Sequence, residues 1–374
     1  MRIGIPKEQK SLEGRISLTP DAVKSLTDVG HEVYIELGAG VLSGYSDSLY
    51  SHAGASLMPS ASMVHQKAQL IVKVKEPLEQ EWSMYRKDHI VFCFLHLAAN
   101  TELMDKLCDI GLTAIAFETV VAVDSKTGRP NLPLLAPMSA IAGRVTAQMG
   151  ATLQYQYRGG QGILFGGLDE EFNAASDIDT GHAVVIGAGI AGAHAAKTLA
   201  SLGAKVTVLD INQDSLSKLE QSSSNISGVI STEESIREHV KQADLLIGAV
   251  LIPGEKAPHL VTKEMVATMK PNSVVMDISV DQGGCIETIR PTTYEAPVYF
   301  HDKVVHFGVT NIPGAVPRTA TQALSAAILP YVHDLLGVIE KGDWVNNEQL
   351  SQAINVKGGE VVHPALKQAP NQVN

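Results

Sequence analysis

One stretch of the chain constrains its fold more than any other. Ala183-Val184-Val185-Ile186 leads into Gly187-Ala188-Gly189-Ile190-Ala191-Gly192, then a helical run over 193–202, then Val206-Thr207-Val208-Leu209-Asp210. This reads as strand, glycine turn, helix and strand, with an acid closing the second strand. Each glycine has its own physical reason: Gly187 for the tight turn, Gly189 for close approach of backbone to a pyrophosphate, Gly192 for close packing of helix on strand. A helix start of this kind presents N–H groups and a positive dipole end to phosphates. Asp210, 23 residues after Gly187, is placed to accept hydrogen bonds from the adenosine ribose. A carboxylate there repels a 2′-phosphate, and Ile211, Asn212, Gln213 and Asp214 supply no cation to bind one. The expected cofactor is therefore NAD rather than NADP.

With 374 residues, 45% of them hydrophobic, the chain is long enough for two domains with real cores. A net charge of −11 and the lack of a dense Lys/Arg run argue against a nucleic-acid partner. Cys93, Cys108 and Cys285 are too few and too scattered for a disulfide framework or a zinc site, so no metal is expected, and Cys93 reads as core. The start, Met1-Arg2-Ile3-Gly4-Ile5-Pro6-Lys7-Glu8, has no apolar leader, and no apolar stretch is long enough to cross a bilayer. A soluble, cytoplasmic protein with a small-molecule substrate is the expectation.

The first 120 or so residues alternate strand-like pieces (2–5, 33–36, 70–75, 90–95, 114–118) with helical ones, including a helix over 20–29 capped by Thr19. This alternation predicts a second parallel α/β layer without a nucleotide fingerprint. Residues 124–133 read as a loop and 139–156 as a long helix. Strands at 245–250, 273–277 and 304–309 complete the fingerprint domain, and a long apolar helix is expected over 319–336. The predicted fold class is α/β, with two Rossmann-like doubly wound domains and an active-site cleft between them. The discontinuous catalytic domain takes 1–130 and 310–374, and the NAD-binding domain 140–305. A glycine-rich and acidic stretch, 159–180, is the expected linker near the hinge. The last residues, 369–374, read as frayed.

Ligands of open α/β sheets bind beyond the carboxyl ends of strands, which singles out Lys75, His96, Asp281 and Asn311. Each also has an ordinary structural reading. Lys73 and Lys75 share a face at period two; a solvated edge explains Lys73 well and Lys75, just before Pro77, less well. His96, between Phe94-Leu95 and Leu97-Ala98-Ala99, is either a satisfied core histidine or a group that moves protons near neutral pH. Asp281 either caps a turn with Gly283-Gly284 or serves a site. Arg15 is either a surface arginine or a bidentate clamp for a carboxylate.

At these residues the sequence resembles the L-alanine dehydrogenase family, nearly end to end. The motifs are the opening octapeptide with Arg15 and Leu18-Thr19-Pro20, Lys73-Val74-Lys75-Glu76-Pro77, Phe94-Leu95-His96-Leu97-Ala98-Ala99, Leu134-Leu135-Ala136-Pro137-Met138-Ser139, and Asp281-Gln282-Gly283-Gly284-Cys285. The resemblance implies NAD-dependent, reversible deamination of L-alanine to pyruvate and ammonium, by a homohexamer. It implies that Arg15 and Lys75 bind substrate and that His96 and Asp281 are the acid/base pair. It lines the NAD site with Ser139, Ile190, Ala191, Asp210, Ser231, Val250, Leu251, Ile278, Ser279, Val280, Asp281, Arg290, Val309, Thr310, Asn311 and Ile312, beside Gly187, Gly189 and Gly192. Two departures stand out: Ser215 where the family often has a lysine beside the ribose, and a longer, more acidic segment at 169–179. The nucleotide-binding subunit of proton-translocating transhydrogenase is a rival, but that family lacks the aspartate of Asp281-Gln282-Gly283-Gly284. Saccharopine-type and lysine-type amino-acid dehydrogenases fit the N-terminal motifs less well. A non-catalytic NAD-binding protein would keep 187–210 and could dispense with Arg15, Lys75, His96 and Asp281 together.

Overall fold

The computed structural model describes residues 1–123, 128, 130–168, 178–250, 258–344 and 347–367. The chain divides into two compact units, Met1–Met138 with Gly314–Asn374, and Ser139–Pro313. The first unit contains β1 (Arg2–Ile5), β2 (Glu32–Glu36), β3 (Ser56–Met58), β4 (Leu70–Val72), β5 (Ile90–Cys93) and β6 (Thr113–Ala116), then a short pair, β7 (Ala122–Val123) and β8 (Pro130–Asn131). The second contains β9 (His182–Ile186), β10 (Lys205–Asp210), β11 (Ile226–Ile230), β12 (Leu245–Gly248), β13 (Val274–Asp277), β14 (Val298–His301) and β15 (Val304–Phe307). The chain then returns to the first unit with β16 (Ile354–Lys357) and β17 (Glu360–Val361).

Both large sheets have the same winding. Parallel strands run in the order β3-β2-β1-β4-β5-β6 in one and β11-β10-β9-β12-β13-β15 in the other. This is the 3-2-1-4-5-6 order of the doubly wound dinucleotide fold. Antiparallel strands extend each sheet beyond its sixth parallel strand: β16 and β17 beside β6, β14 beside β15. The alternation within β9 explains why both faces are covered. Ala183 and Val185 enter one apolar core with Ala195, Ala196 and Leu199 of the helix Ile190–Ser201. Val184 and Ile186 enter the other with Ile236, Val240, Met265 and Val266. Cys93 is buried in the first unit's core, as its apolar flanks indicate.

Three expectations need correcting. The 159–180 stretch lies inside the second unit, since the chain passes between units at Met138/Ser139 and Pro313/Gly314. Its glycines serve close packing: Phe165 is buried in the second core, and a Cβ on Gly181 would lie 2.1 Å from that ring. The acidic part, 169–177, falls outside the described residues, as do 369–374. The strand expected over 70–75 ends at Val72. Finally, one helix, Pro317–Lys341, is long and apolar enough by composition to cross a membrane. Its Ala320, Leu324, Ile328, Val332 and Leu335 are wholly buried, which is how a core helix uses such a face.

Candidate active site

In the first unit the carboxyl ends of adjacent strands gather the charged residues. The segment after β1 carries Arg15. Ile16 N donates to Thr321 Oγ1 at 3.0 Å, Ser43 Oγ donates to the Gly14 carbonyl at 2.8 Å, and Ser17 Oγ donates to the Val72 carbonyl at 2.8 Å. The long C-terminal helix thus fixes the backbone beside Arg15. The guanidinium is 3% exposed and donates from Nε to Glu13 Oε1 at 2.7 Å and from Nη2 to Glu13 Oε2 at 2.5 Å. Its Nη1 lies 3.3 Å from Met138 Sδ. A bidentate carboxylate holds the fork in one plane and compensates much of its buried charge.

Lys75 lies just past β4 and is buried. Burial lowers its pKa and the Arg15 and Lys10 charges add to this, against Glu76 and Glu13. The Glu8 carboxylate accepts from Val74 N at 2.5 Å and Lys75 N at 3.4 Å, anchoring the lysine's backbone. Burial pushes Glu8 up to about 7, with Lys73 and the Val74 N–H opposing. Lys73 overturns the expectation of a solvated edge. It is 1% exposed, and its Nζ donates to both Glu81 oxygens at 2.7 and 2.8 Å. The reason is topological: β4 is a central strand, and its extension still bonds to β5 through Lys73 N to the Phe92 carbonyl (3.3 Å) and Phe94 N to the Val74 carbonyl (3.1 Å).

His96 follows β5 with its side chain 32% exposed, so it is not the satisfied core histidine of the ordinary reading. Its backbone is left-handed at φ 51°, and its ring stacks on Phe94 with planes 2° apart and centroids 5.8 Å apart. Glu118, just past β6, accepts from His96 N at 2.6 Å.

In the second unit the three glycines differ as their spacing implies. Gly187 has φ 106°, and a Cβ there would lie 2.6 Å from the Ala249 carbonyl oxygen. A Cβ on Gly192 would lie 1.9 Å from the Gly187 carbonyl oxygen, so only glycine allows the helix this close. A Cβ on Gly189 would meet nothing within 4 Å: open space lies where a pyrophosphate would approach. Asp210 supports the turn itself, accepting from Ala188 N at 2.6 Å and Asn212 N at 2.8 Å. The glycine turn, the helix start and the carboxylate fit a dinucleotide.

The remaining expected cofactor residues follow the same edge of the sheet. Ser231 follows β11, Val250 follows β12, Ile278, Ser279, Val280 and Asp281 follow β13, and Val309, Thr310, Asn311 and Ile312 follow β15. Asp281 is exposed in a 3-10 turn, Val280–Gln282. Ser139 lies in the helix Ala136–Leu153, and Arg290 lies 4.1 Å over the Tyr299 ring. Leu251 lies outside the described residues. Ser215, the departure near the ribose position, sits in the first turn of the helix Gln213–Glu220, where its N donates to Asn212 Oδ1 at 3.1 Å.

Comparison with known proteins decides the family. Residues 4–142 match the model for the N-terminal domain of alanine dehydrogenase/PNT, and residues 146–364 the model for the C-terminal domain. The chain belongs to the alanine dehydrogenase/PNT family. Among family members, alanine dehydrogenase of Methanococcus maripaludis is 43% identical over 99% of this chain and 96% of its own length. Alanine dehydrogenase 1 of Staphylococcus aureus is 42% identical over 98% of this chain and 96% of its own. A solved L-alanine dehydrogenase superposes with a TM-score of 0.90 at 44% identity, covering 99% of both chains. The solved transhydrogenase of Sinorhizobium meliloti gives 0.80 at 28% identity, covering 98% of this chain and all (100%) of that one.

The family motifs do not by themselves reveal several residues that shape these sites. Glu8, Glu13 and Glu118 each hold a candidate residue's backbone or side chain. Asp277, 1% exposed, closes the base of the Asp281 loop by accepting from Ser279 N, Cys285 N and Ile286 N at 2.8, 2.7 and 3.2 Å. Glu118 left one signal: it ends an apolar strand with a charge, as Lys75 does.

Proposed function

We propose that this protein oxidises L-alanine to pyruvate and ammonium with NAD, and runs the reverse reductive amination. The observation that carries the reading is the set Arg15, Lys75 and His96 beside neighbouring strand ends, β1, β4 and β5, in a chain of this family. In the proposal Arg15 pairs the substrate carboxylate, and Glu13 keeps its guanidinium oriented. Lys75, whose charge is disfavoured by burial and by Arg15, gains from any anionic oxygen brought beside it. That difference favours carboxylate-bearing substrates and stabilises charge developing on the substrate oxygen. His96 and Asp281 take and return protons as water adds to the substrate imine and ammonia leaves. When bound, NAD would supply the acceptor for the hydride that leaves the alanine Cα. Gly187, Gly189, Gly192 and Asp210 would hold the dinucleotide. The reading extends to a cytoplasmic homohexamer, as the family resemblance implies.

NADH absorbance with a panel of L-amino acids, and in reverse with pyruvate plus ammonium, tests the reaction. Alanine is expected to be the best substrate, with 2-aminobutyrate, one methylene larger, disfavoured by about 10–200-fold. Turnover of another amino acid but not alanine overturns the substrate. A second expectation concerns Asp210→Ala. Loss of the carboxylate should weaken NAD and relax rejection of NADP, because the repulsion of a 2′-phosphate goes with it. An unchanged ratio of kcat/KM for the two cofactors counts against the ribose contact.

A further inference from the structure

We infer that Glu118 is a positioning residue for His96, holding the backbone from which the imidazole projects beyond β5. The inference rests on the reading of His96 as a proton-transfer group. β5 and β6 are neighbours, with Cys93 opposite Ala116. Both chains turn just beyond that pair, so Glu118 in the turn Phe117–Thr119 faces the backbone of Leu95 and His96.

Its carboxylate accepts from His96 N at 2.6 Å and from Leu95 N at 3.2 and 3.3 Å. The same Oε1 that takes the His96 N–H lies 3.9 Å from His96 Nδ1. That distance is too long for a hydrogen bond, so the carboxylate holds His96 through its backbone rather than through the ring. A left-handed backbone is costly for a residue with a Cβ. The His96 conformation at φ 51° is held by the carboxylate across two consecutive N–H groups and by the stack on Phe94.

The turn bearing Glu118 is itself anchored. Thr119 Oγ1 donates to the Ala353 carbonyl at 3.0 Å and accepts from Asn355 Nδ2 at 3.0 Å, tying it to the returning C-terminal segment. Cys93 from β5 and His363 from the C-terminal segment also feel the Glu118 charge. Burial pushes the Cys93 thiol far up, with Lys73 opposing and Glu118 adding to it, and burial pulls His363 down against Glu118.

Glu118→Gln keeps an oxygen for the backbone N–H groups, and Glu118→Ala keeps none. Glu118→Ala is therefore expected to lower kcat for alanine oxidation and for pyruvate amination by about tenfold, the order of one lost buried acceptor, with KM and affinity for NADH within about twofold. Glu118→Gln should recover kcat to within about threefold of the parent. A purely structural loss would lower NADH-binding capacity in step with kcat, so both are measured on the same sample. Parent-like kcat in Glu118→Ala, or a Glu118→Gln as impaired as Glu118→Ala, overturns the inference. If Glu118→Ala does not fold, Glu118→Asp decides: its shorter side chain falls short of the N–H groups and should lower kcat with NADH affinity kept, and parent-like kcat there overturns the inference. His96→Asn, measured beside them, separates the two readings. Parent-like turnover in that variant removes His96 as the proton carrier, and the inference falls with it for that reason rather than through Glu118.

Discussion

His96→Ala is expected to lower turnover in both directions by about 10²–10⁴-fold, the usual range for a lost general acid/base, while NADH binding survives. The residue has the exposure and position for proton transfer, half-buried past the end of β5 and backed by a carboxylate. Nucleotide binding should be spared because the glycine turn and Asp210 belong to the other unit, Ser139–Pro313. Alanine at φ 51° brings a conformational cost of its own, roughly 1–2 kcal/mol. His96→Asn is the better control, since asparagine tolerates the left-handed region. NADH fluorescence titration beside a steady-state assay decides the matter. Loss of turnover with intact binding in both variants supports the role; near-parent turnover in either one ends it.

Much of the fold was readable because its physical demands are local. Gly187 and Gly192 answer to distances of 2.6 and 1.9 Å that exclude any Cβ, and the spacing of a glycine turn encodes that directly. Residues at strand ends were readable for a related reason: a polar residue that stops an apolar run reports the sheet edge where ligands bind. What could not be read depends on distant partners. Period two puts Lys73 and Lys75 on one face, but whether that face is wet or dry is set by strand order. Glu81, which makes Lys73 a buried ion, lies in a 3-10 turn, Glu79–Met84, that leaves no periodic signal. Glu8 and Glu13 are likewise charged residues in irregular segments. The strands β16 and β17 escaped notice because each is short and polar in part, and β16 finds its partner β6 only through the chain's return.

The pair Lys73 and Glu81 should dominate the stability of the first unit. Glu81→Ala is expected to cost about 3–5 kcal/mol, the penalty for leaving a buried charge without its partner. The ammonium loses two bonds, at 2.7 and 2.8 Å, and its remaining ion pair among the described residues is with Glu8 at 3.9 Å. Glu81 also accepts from Leu78 N at 2.8 Å, so its loss frees the turn it caps. Nor does neutralisation come easily to Lys73. Burial lowers its pKa, but Tyr85, Glu8 and Glu81 together outweigh that and raise it. Losing one of these partners weakens that bias without reversing it. Lys73→Met combined with Glu81→Leu should be less damaging than the sum of the single changes, because an apolar pair of similar size removes the stranded charge along with the attraction. Both tryptophans, Trp82 and Trp344, belong to the first unit, so their fluorescence during urea unfolding follows that unit alone. A loss below 1 kcal/mol in Glu81→Ala, or strictly additive single and double variants, would mean that solvent reaches the pair in solution. In that case the burial that also depresses Lys75 would have to be abandoned as the source of its preference for an anionic substrate.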